Sequence, residues 1–465
     1  MMEFAQGLTS ALQAVFWGLL LLLFCLFVHE LAHYLAARWS GIRVTEFFMG
    51  MPCRYRLSWR DKKVGTEFGI TPLLLGGYNR ISGLVSLPEE HCAQVLAYLS
   101  AHGTASVAQI ASGCGITPDE ALDALTTLAD WASVVPFYDP AKGEHPSQST
   151  YPELWMSPAR DANGLTVYDA GHDFSTEGSS AEGEPYVLPC DPTSFLERER
   201  THTFLGVSMP RRFAVVLAGV AANICCGLLL LALIFSGIGM DVSVDKNVLG
   251  VVEQGSLAEQ AGLQAGDEIV DINGTACASW TDVSAALDVV REGSRTAELS
   301  YLRDGVRHTV QMTLPQDAYY FGVSAPVERM RLPFVEGIKL SFSMAGQMVR
   351  TVARLFVPTQ AIEVLDQSSS VVGVSVMAAT AIQSGLTTYL YLMAAVSLSL
   401  GFMNLLPLAF LDGGKALFLL WEIISRKTVP LKVQNVLTYV SLAFLGFIFL
   451  YTLRGDIVRI MTGGI

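Results

Sequence analysis

The sequence predicts a polytopic α-helical membrane protein in which about four transmembrane helices alternate with small soluble modules. The 465 residues are 51% hydrophobic with a mean hydropathy of +0.41, which is too apolar for an ordinary soluble protein and too polar for a bare helical bundle. Four apolar stretches carry no charge, and each is long enough, with its flanks, for a helix of about 20 residues to cross a bilayer. These stretches are residues 14–28, 213–240, 386–411 and 433–453.

Composition also limits the partners and the compartment that can be predicted for the protein. A net charge of −13 argues against a nucleic-acid partner. The 8 cysteines are scattered between apolar stretches and polar segments, so no disulfide framework is readable. The N-terminus lacks a basic region and an A-x-A site, which predicts a retained first helix instead of a cleaved signal peptide.

The orientation of the helices follows from basic residues in short flanks. Residues 38–63 carry seven Lys or Arg against two acids, and residues 415–432 carry four. Such flanks are usually cytoplasmic. Residues 241–385 and both chain ends are therefore expected outside, and the end of the first helix inside.

A metal-binding motif ends the first apolar stretch. In His29-Glu30-Leu31-Ala32-His33 the two histidines lie at i and i+4, on one face of a helix. Two neutral imidazoles in this arrangement bind one Zn²⁺, and the Glu30 carboxylate is placed to act as a general base. A chance match is the alternative. Ionisable side chains at membrane depth are costly and usually functional, which favours a zinc peptidase site inside the membrane.

A third ligand is needed, because catalytic zinc takes three protein ligands and keeps one position open. Asp412 is the only carboxylate between Asp366 and Glu422, and it ends the third apolar stretch. Gly413 and Gly414 would allow close backbone approach. The alternative is that Asp412 only caps the helix that follows.

Residues 43–83 follow the metal motif and predict a small hairpin sheet that dips towards the membrane beside the zinc. Residues 64–70 alternate as a strand should, and a turn-rich segment follows. An open strand edge carrying Phe68 and Ile70 could pair with an extended substrate segment. An ordinary surface hairpin is the alternative.

Residues 84–140 predict a soluble insertion whose helix, helix-turn-helix and strand order resembles a winged helix. From residue 84 to residue 159 the only Lys or Arg is Lys142, against nine acids, so this surface has no means of neutralising phosphates. A cytoplasmic protein partner of residues 88–140, or a simple spacer, is expected instead of DNA. Residues 141–205, rich in Gly, Ser, Pro and acids, predict a mobile linker with some short strands.

Residues 255–274 read G-S-L-A-E-Q-A-G-L-Q-A-G-D-E-I-V-D-I-N-G and resemble the core of a PDZ domain. Such domains receive peptide ends by strand addition, although one that only blocks access sterically is equally compatible. Residues 332–357 then predict an amphipathic helix, either interfacial or packed on a core. The resulting domain plan is residues 1–40 (first transmembrane helix), 41–83 (hairpin region), 84–140 (insertion), 141–205 (linker), 206–240 (second transmembrane helix), 241–320 (PDZ), 321–385 (amphipathic region) and 386–465 (third and fourth transmembrane helices).

Taken together, the motifs resemble those of site-2 proteases, in the bacterial RseP-like branch. The resemblance rests on H-E-L-A-H, G-T-E-F-G-I-T-P-L-L-L-G-G-Y, A-G-V-A-A-N, the PDZ-like run and N-L-L-P-L-A-F-L-D-G-G. It implies a multi-pass enzyme of the bacterial cytoplasmic membrane that cleaves single-span membrane proteins, such as trimmed anti-sigma factors or remnant signal peptides. The implied zinc ligands are His29, His33 and Asp412, with Glu30 as base. The implied substrate contacts are Asn404, Pro407, Gly76 and Gly77.

Three features depart from that family. Lys415 stands where members often have His, Ala409 replaces a usual second Pro, and the acidic insertion is not a family feature. None of these positions is itself an implied ligand. Two rival functions remain: a metal-binding membrane scaffold without catalysis, which would not need Glu30, and a metal-ion transporter, for which a single ionisable cluster in four helices is too few.

Overall fold

The computed structural model describes residues 2–74, 76–85, 87–144, 150–315, 321–355 and 357–461. They form two compact units, residues 1–230 with 341–465, and residues 231–340. Four helices among the described residues are long and apolar enough to cross a membrane, as the sequence predicts. The candidate spans are Gly7–Trp39, Met209–Ile238, Leu386–Asn404 and Leu431–Ile460.

The first helix leads directly into a four-stranded sheet. Helix α1 is followed, after a turn at Gly41, by strands in the order β2-β3-β1-β4, with β1 and β3 parallel and the other pairs antiparallel. The elements are α1 (Met2–Trp39), β1 (Val44–Met49), β2 (Leu57–Arg60), β3 (Glu67–Ile70) and β4 (Gly77–Ile81).

The position of β3 corrects one prediction. Both edges of β3 are paired, by β2 and by β1, so Phe68 and Ile70 offer no open edge. Strand β1 occupies an inner position, between β3 and β4, because it is the most apolar of the four strands and packs on α1. Its Phe48 is fully buried, and its Phe47 meets the ring of Tyr34 edge to face. The free edges belong to β2 and β4.

The insertion is a helical module closed by a small sheet. Helices α3 and α4 each begin with a capping box, Ser106 with Gln109 and Thr117 with Glu120, which satisfies the first free N–H groups. The three strands lie in the order β5-β7-β6. The elements are α2 (Cys92–His102), β5 (Thr104–Ser106), α3 (Val107–Cys114), α4 (Pro118–Asp130), β6 (Val135–Phe137), β7 (Leu154–Met156) and α5 (Pro192–Arg200).

Residues 141–205, of which 145–149 lie outside the described residues, contain a predicted short strand, β7, but an ion-pair network buries part of the segment that was predicted as a mobile linker. Arg43, just after α1, makes a bidentate ion pair with Asp169 at 2.7 Å and another with Glu199 at 2.8 Å. Arg160 also pairs with Glu199, and all four side chains are buried. Polar composition suggested a solvated chain, but here the polar groups satisfy one another inside the fold.

Helix α6 (Met209–Ala232) continues as a π-helical turn over Leu233–Ile238. Among the described residues of 231–340 the largest sheet has the order β11-β10-β12-β13, and β14-β9 and β15-β8 form two separate pairs. The elements are β8 (Met240–Ser243), β9 (Val251–Val252), α7 (Leu257–Gln260), β10 (Glu268–Ile272), β11 (Thr275–Ala276), α8 (Trp280–Glu292), β12 (Thr296–Arg303), β13 (Val306–Thr313), β14 (Val323–Ser324) and β15 (Val327–Met330).

The C-terminal part is helical. The third apolar stretch is shorter than predicted, because its helix ends at Asn404 and a turn precedes Asp412. Helix α11, which the sequence analysis missed, packs along α1 so closely that a Cβ on Gly18 would overlap Ser375. The elements are α9 (Phe334–Arg354), α10 (Pro358–Gln367), α11 (Val371–Ser384), α12 (Leu386–Asn404), α13 (Asp412–Ser425) and α14 (Leu431–Met461).

Candidate metal centre

The two histidines of the motif share one buried face of α1. Their ring centroids lie 4.7 Å apart, and the two Nε2 atoms lie 3.2 Å apart. The side chains of His29 and His33 are both buried. The i and i+4 spacing therefore brings two imidazole nitrogens to one point, as the sequence predicts.

Asp412 reaches the same point from the start of α13. Its Oδ2 lies 3.2 Å from His29 Nε2 and 3.1 Å from His33 Nε2. The alternative role as a helix cap does not hold: the N-cap position of α13 is Leu411, and no side chain caps this helix. Among the described residues, these three form the only group of His, Cys, Asp or Glu with convergent metal-binding atoms.

The two glycines after Asp412 allow the sharp entry into α13. A Cβ on Gly413 would overlap the carbonyl oxygen of Leu405, and a Cβ on Gly414 would overlap that of Leu408. The turn that ends α12 therefore folds back against the first residues of α13. This contact sets the carboxylate of Asp412 at the histidine pair, with Lys415 3.5 Å from its other oxygen.

Helix α6 closes the other side of the site. His33 Nδ1 lies 2.7 Å from the carbonyl oxygen of Val215, which accepts its hydrogen. One turn further, a Cβ on Gly219 would overlap His33 Nε2 and lie 2.6 Å from His29 Cε1. A further turn on, the amide of the fully buried Asn223 lies 3.5 Å from His29 Nδ1. The space at the two Nε2 atoms therefore depends on the missing side chain of Gly219.

Glu30 lies beside this cluster and contacts β4. Asn79 Nδ2 donates to Glu30 Oε2 at 2.7 Å and to the Glu30 carbonyl oxygen at 2.9 Å. Gly77 lies against the same side chain, since a Cβ there would be 2.7 Å from Glu30 Cγ. The motif's carboxylate is thus held by the sheet that follows the helix.

The residues predicted to contact the substrate lie in different environments. Gly77 touches Glu30, whereas Gly76 accepts a hydrogen bond from Gly50. Phe68 packs between Phe47, Tyr34 and Trp59 in a hydrophobic cluster.

The other residues predicted to contact the substrate are more exposed to solvent. Ile70 is partly exposed on β3. Asn404 is half-buried at the end of α12, and Pro407 is exposed in the turn before Asp412.

Sequence reasoning did not single out Gly219, Asn223 or Asn79 as site residues. A signal existed for the first two: Gly219 and Asn223 are four residues apart in A-G-V-A-A-N, and so share a helix face. For Asn79 no local signal existed, because its contact depends on how β4 packs on α1.

Comparison of the sequence with known proteins identifies one matching family and several relatives of similar length. The sequence profile of peptidase family M50 matches residues 17–448. A putative zinc metalloprotease of Lactococcus lactis is 25% identical, with 93% of this chain and 95% of the relative covered. A putative zinc metalloprotease of Streptococcus pyogenes serotype M6 is 27% identical over 93% and 96%. A protein of Bacillus subtilis named regulator of sigma-W protease RasP is 25% identical over 93% and 96%.

Proposed function

The chain belongs to peptidase family M50 and is a zinc metalloprotease, and on that premise we propose that His29, His33 and Asp412 hold its zinc and that Glu30 is its general base. One observation carries the proposal. Three buried ligand atoms from α1 and α13 converge within 3.2 Å of one another, next to a fourth ionisable side chain that is not part of the group. Three protein ligands and an open position are typical of catalytic zinc.

The donor set suits zinc. With its hydrogen on Nδ1 and given to Val215, His33 presents the lone pair of Nε2 to a metal. Asn223 Oδ1 is buried without a partner among the described residues, on the amide next to His29 Nδ1. The atom nearest to His29 Nδ1 is Asn223 Nδ2, at 3.5 Å. Amide oxygen and nitrogen are assigned from their surroundings, and exchanging the two would present Oδ1 as the acceptor that an Nδ1–H of His29 requires. Both imidazoles are thereby prepared to bind through Nε2.

In the reaction, the zinc would supply Lewis acidity at the scissile carbonyl and lower the pKa of the attacking water. Glu30 takes the proton of that water and passes it to the leaving amine. The side chain of Asp412 balances the charge at the site, and Gly219 leaves the room in which the peptide bond must fit. The scaffold and the transporter give Glu30 no task, and peptidase family membership also speaks against both.

The substrate class we propose is single-span membrane proteins, cleaved within or near the transmembrane segment. A helix hides its carbonyls in i→i−4 bonds, so the substrate must unwind locally before cleavage. The free edge of β4, whose Gly77 and Asn79 touch Glu30, is the place for the unwound segment to pair. Because one relative is named a regulator of sigma-W protease, anti-sigma factors trimmed beforehand are our first candidates, and remnant signal peptides the second.

The soluble parts and the orientation complete the proposal. The described residues of 92–156 contain three α-helices and a sheet in the order β5-β7-β6, which suits a winged-helix-like module. The shortage of cations in this module favours a protein partner in the cytoplasm. Residues 241–320 suit an extracytoplasmic PDZ domain that binds a peptide end or restricts access. We place the protein in the bacterial cytoplasmic membrane with the metal-site end and the insertion inside.

The test is a reconstituted cleavage assay in proteoliposomes with a single-span substrate. Wild-type protein should cleave it and Glu30→Gln should not, while both retain zinc. Cleavage by Glu30→Gln at the wild-type rate would contradict the role of Glu30. Stoichiometric zinc in a variant lacking both histidines would contradict the metal centre.

A further inference from the structure

The general base is held by a side chain from the neighbouring sheet. Asn79 Nδ2 reaches both ends of the same residue, the carboxylate oxygen Oε2 of Glu30 at 2.7 Å and its carbonyl oxygen at 2.9 Å. The carbonyl belongs to the backbone of α1 and cannot move without the helix. The second bond therefore ties the free end of the Glu30 side chain to a fixed point.

The close approach of β4 makes this possible. Gly77 and Asn79 are two residues apart on one strand, so they point to the same face, and that face meets α1. With a hydrogen in place of a side chain, Gly77 lets the strand come into contact with the stem of Glu30, since a Cβ there would lie 2.7 Å from Cγ. At this separation the short side chain of Asn79 spans the gap.

The orientation of the amide is dictated by Glu30. A carbonyl oxygen and an ionised carboxylate accept hydrogen bonds and donate none. The nitrogen of Asn79 must therefore face them, because the reverse assignment would set oxygen against two oxygens. In this orientation Asn79 Oδ1 is buried with no partner among the described residues. Buried polar atoms are normally paired, so the arrangement satisfies Glu30 at the expense of Asn79.

We infer that Asn79 is a positioning residue for the reaction: it immobilises Glu30 through Oε2 and so assigns the proton transfer to Oε1. The inference rests on the proposed role of Glu30 as base. A free glutamate side chain samples many rotamers, whereas proton transfer requires a heavy-atom separation near 3 Å. Misplacement by about 1 Å can cost on the order of 100-fold in rate. Asn79 therefore acts on kcat, not on substrate binding or zinc.

The experiment measures kcat, KM, bound zinc and thermal midpoint for Asn79→Leu, which keeps the shape and removes the donor, and for Asn79→Gln, which keeps the donor. For Asn79→Leu we expect kcat to fall about 10- to 100-fold, with KM within twofold and zinc and midpoint unchanged. Asn79→Gln should recover part of the loss. Thr45→Val is the matched control, because it removes another side-chain hydrogen bond to β4, at the carbonyl of Arg80, without touching Glu30.

A further arm asks whether Asn79 acts through Glu30. Glu30→Asp withdraws the carboxylate from Asn79, so Asn79→Leu added to it should cost less than threefold more. Full additivity of the two losses would overturn the inference, as would unchanged kcat in Asn79→Leu or a loss of kcat matched by a loss of zinc. If Asn79→Leu does not fold, Asn79→Ser, which is too short to reach Oε2, takes its place with the same expected outcomes. Wild-type activity of Glu30→Gln would instead refute the proposed function itself.

Discussion

The Oδ2 atom of Asp412 lies 3.1 Å from Nε2 of His33, although 379 residues separate them in sequence. The histidine belongs to the first helix and the aspartate to the thirteenth, and the loop between α12 and α13 turns sharply to bring them together. The proposed metal site therefore depends on the packing of the first and last parts of the chain.

The purified protein should contain one Zn²⁺ per chain, and His29→Ala, His33→Ala and Asp412→Asn should each lower the content severalfold. The two alanine variants remove a proposed ligand altogether, and Asp412→Asn replaces a charged carboxylate ligand by a neutral amide, which binds zinc more weakly. Elemental analysis after detergent purification measures the effect. His308→Ala, which replaces an exposed histidine far along the chain, should bind zinc normally. Full occupancy in Asp412→Asn would remove Asp412 from the ligand set.

Glu30→Gln should keep its zinc and lose cleavage by about 10²- to 10⁴-fold, the usual contribution of a general base. The amide has nearly the same shape as the carboxylate but cannot take a proton. The rate of cleavage of a single-span substrate and the zinc content are measured on the same preparation. A parallel fall of both would mean that Glu30 supports the metal centre instead of the chemistry.

Gly219→Ala should reduce bound zinc and abolish cleavage. The added methyl group would overlap His33 Nε2, and both neighbouring elements are helices that cannot yield locally. Gly446→Ala is the matched control, because Gly446 also lies in an apolar helix but has no atom within 4 Å of an added Cβ. It should retain zinc and activity.

Glu199→Gln should destabilise the protein by about 3–5 kcal/mol, since it leaves the buried guanidiniums of Arg43 and Arg160 without their shared partner. Thermal unfolding or limited proteolysis of the full chain measures the loss. Glu197→Gln, on the exposed side of the same helix, should change stability by less than about 1 kcal/mol. Equal effects of the two variants would show that the ion-pair network does not contribute to the free energy of unfolding.

The same network predicts acid sensitivity. Burial alone would raise the pKa values of Asp169 and Glu199, but the neighbouring guanidiniums outweigh it and hold both pKa values below the usual range. In the unfolded chain the two groups have pKa values of about 3.9 and 4.3. The network therefore stabilises fully above those values and progressively less as the pH falls below them. Glu199→Gln should narrow the difference in unfolding midpoint between pH 6 and pH 3.

An unwound substrate should pair with the edge of β4. In a cysteine-free background, Arg80→Cys on this edge should form disulfide crosslinks with a cysteine near the substrate cleavage site. Leu57→Cys, on the opposite edge strand β2, is also exposed to reagents and should not. If only Leu57→Cys formed crosslinks, the substrate would pair with the β2 edge of the sheet and not with the β4 edge.

Local and periodic features of this chain were predictable. The four apolar spans and the histidine pair depend on residues close together in sequence, and the structure has both. Asp412 was predictable because few carboxylates adjoin an apolar stretch. The pairing of β3 was not, because parallel pairing with β1 depends on which strand packs best against α1.

The segment around Asp169 and Glu199 misled for a different reason. Its composition is that of a solvated chain, and only the tertiary fold supplies the arginine partners that allow its acids to be buried. Helix α11 was missed because 14 residues are too short to cross a bilayer alone. Its apolar character is explained by packing on α1.

Gly77 and Gly219 face the metal motif from a strand and from a helix, and each contributes no side chain there. Natural variation at these two positions can only remove space, since every other amino acid is larger. Descendants of this chain could therefore vary at exposed positions such as Pro407 or Ile70 without loss of the space beside His33 and Glu30, but not at the two glycines. That space is the trait under the strictest constraint, and the exposed positions around it are free to diverge.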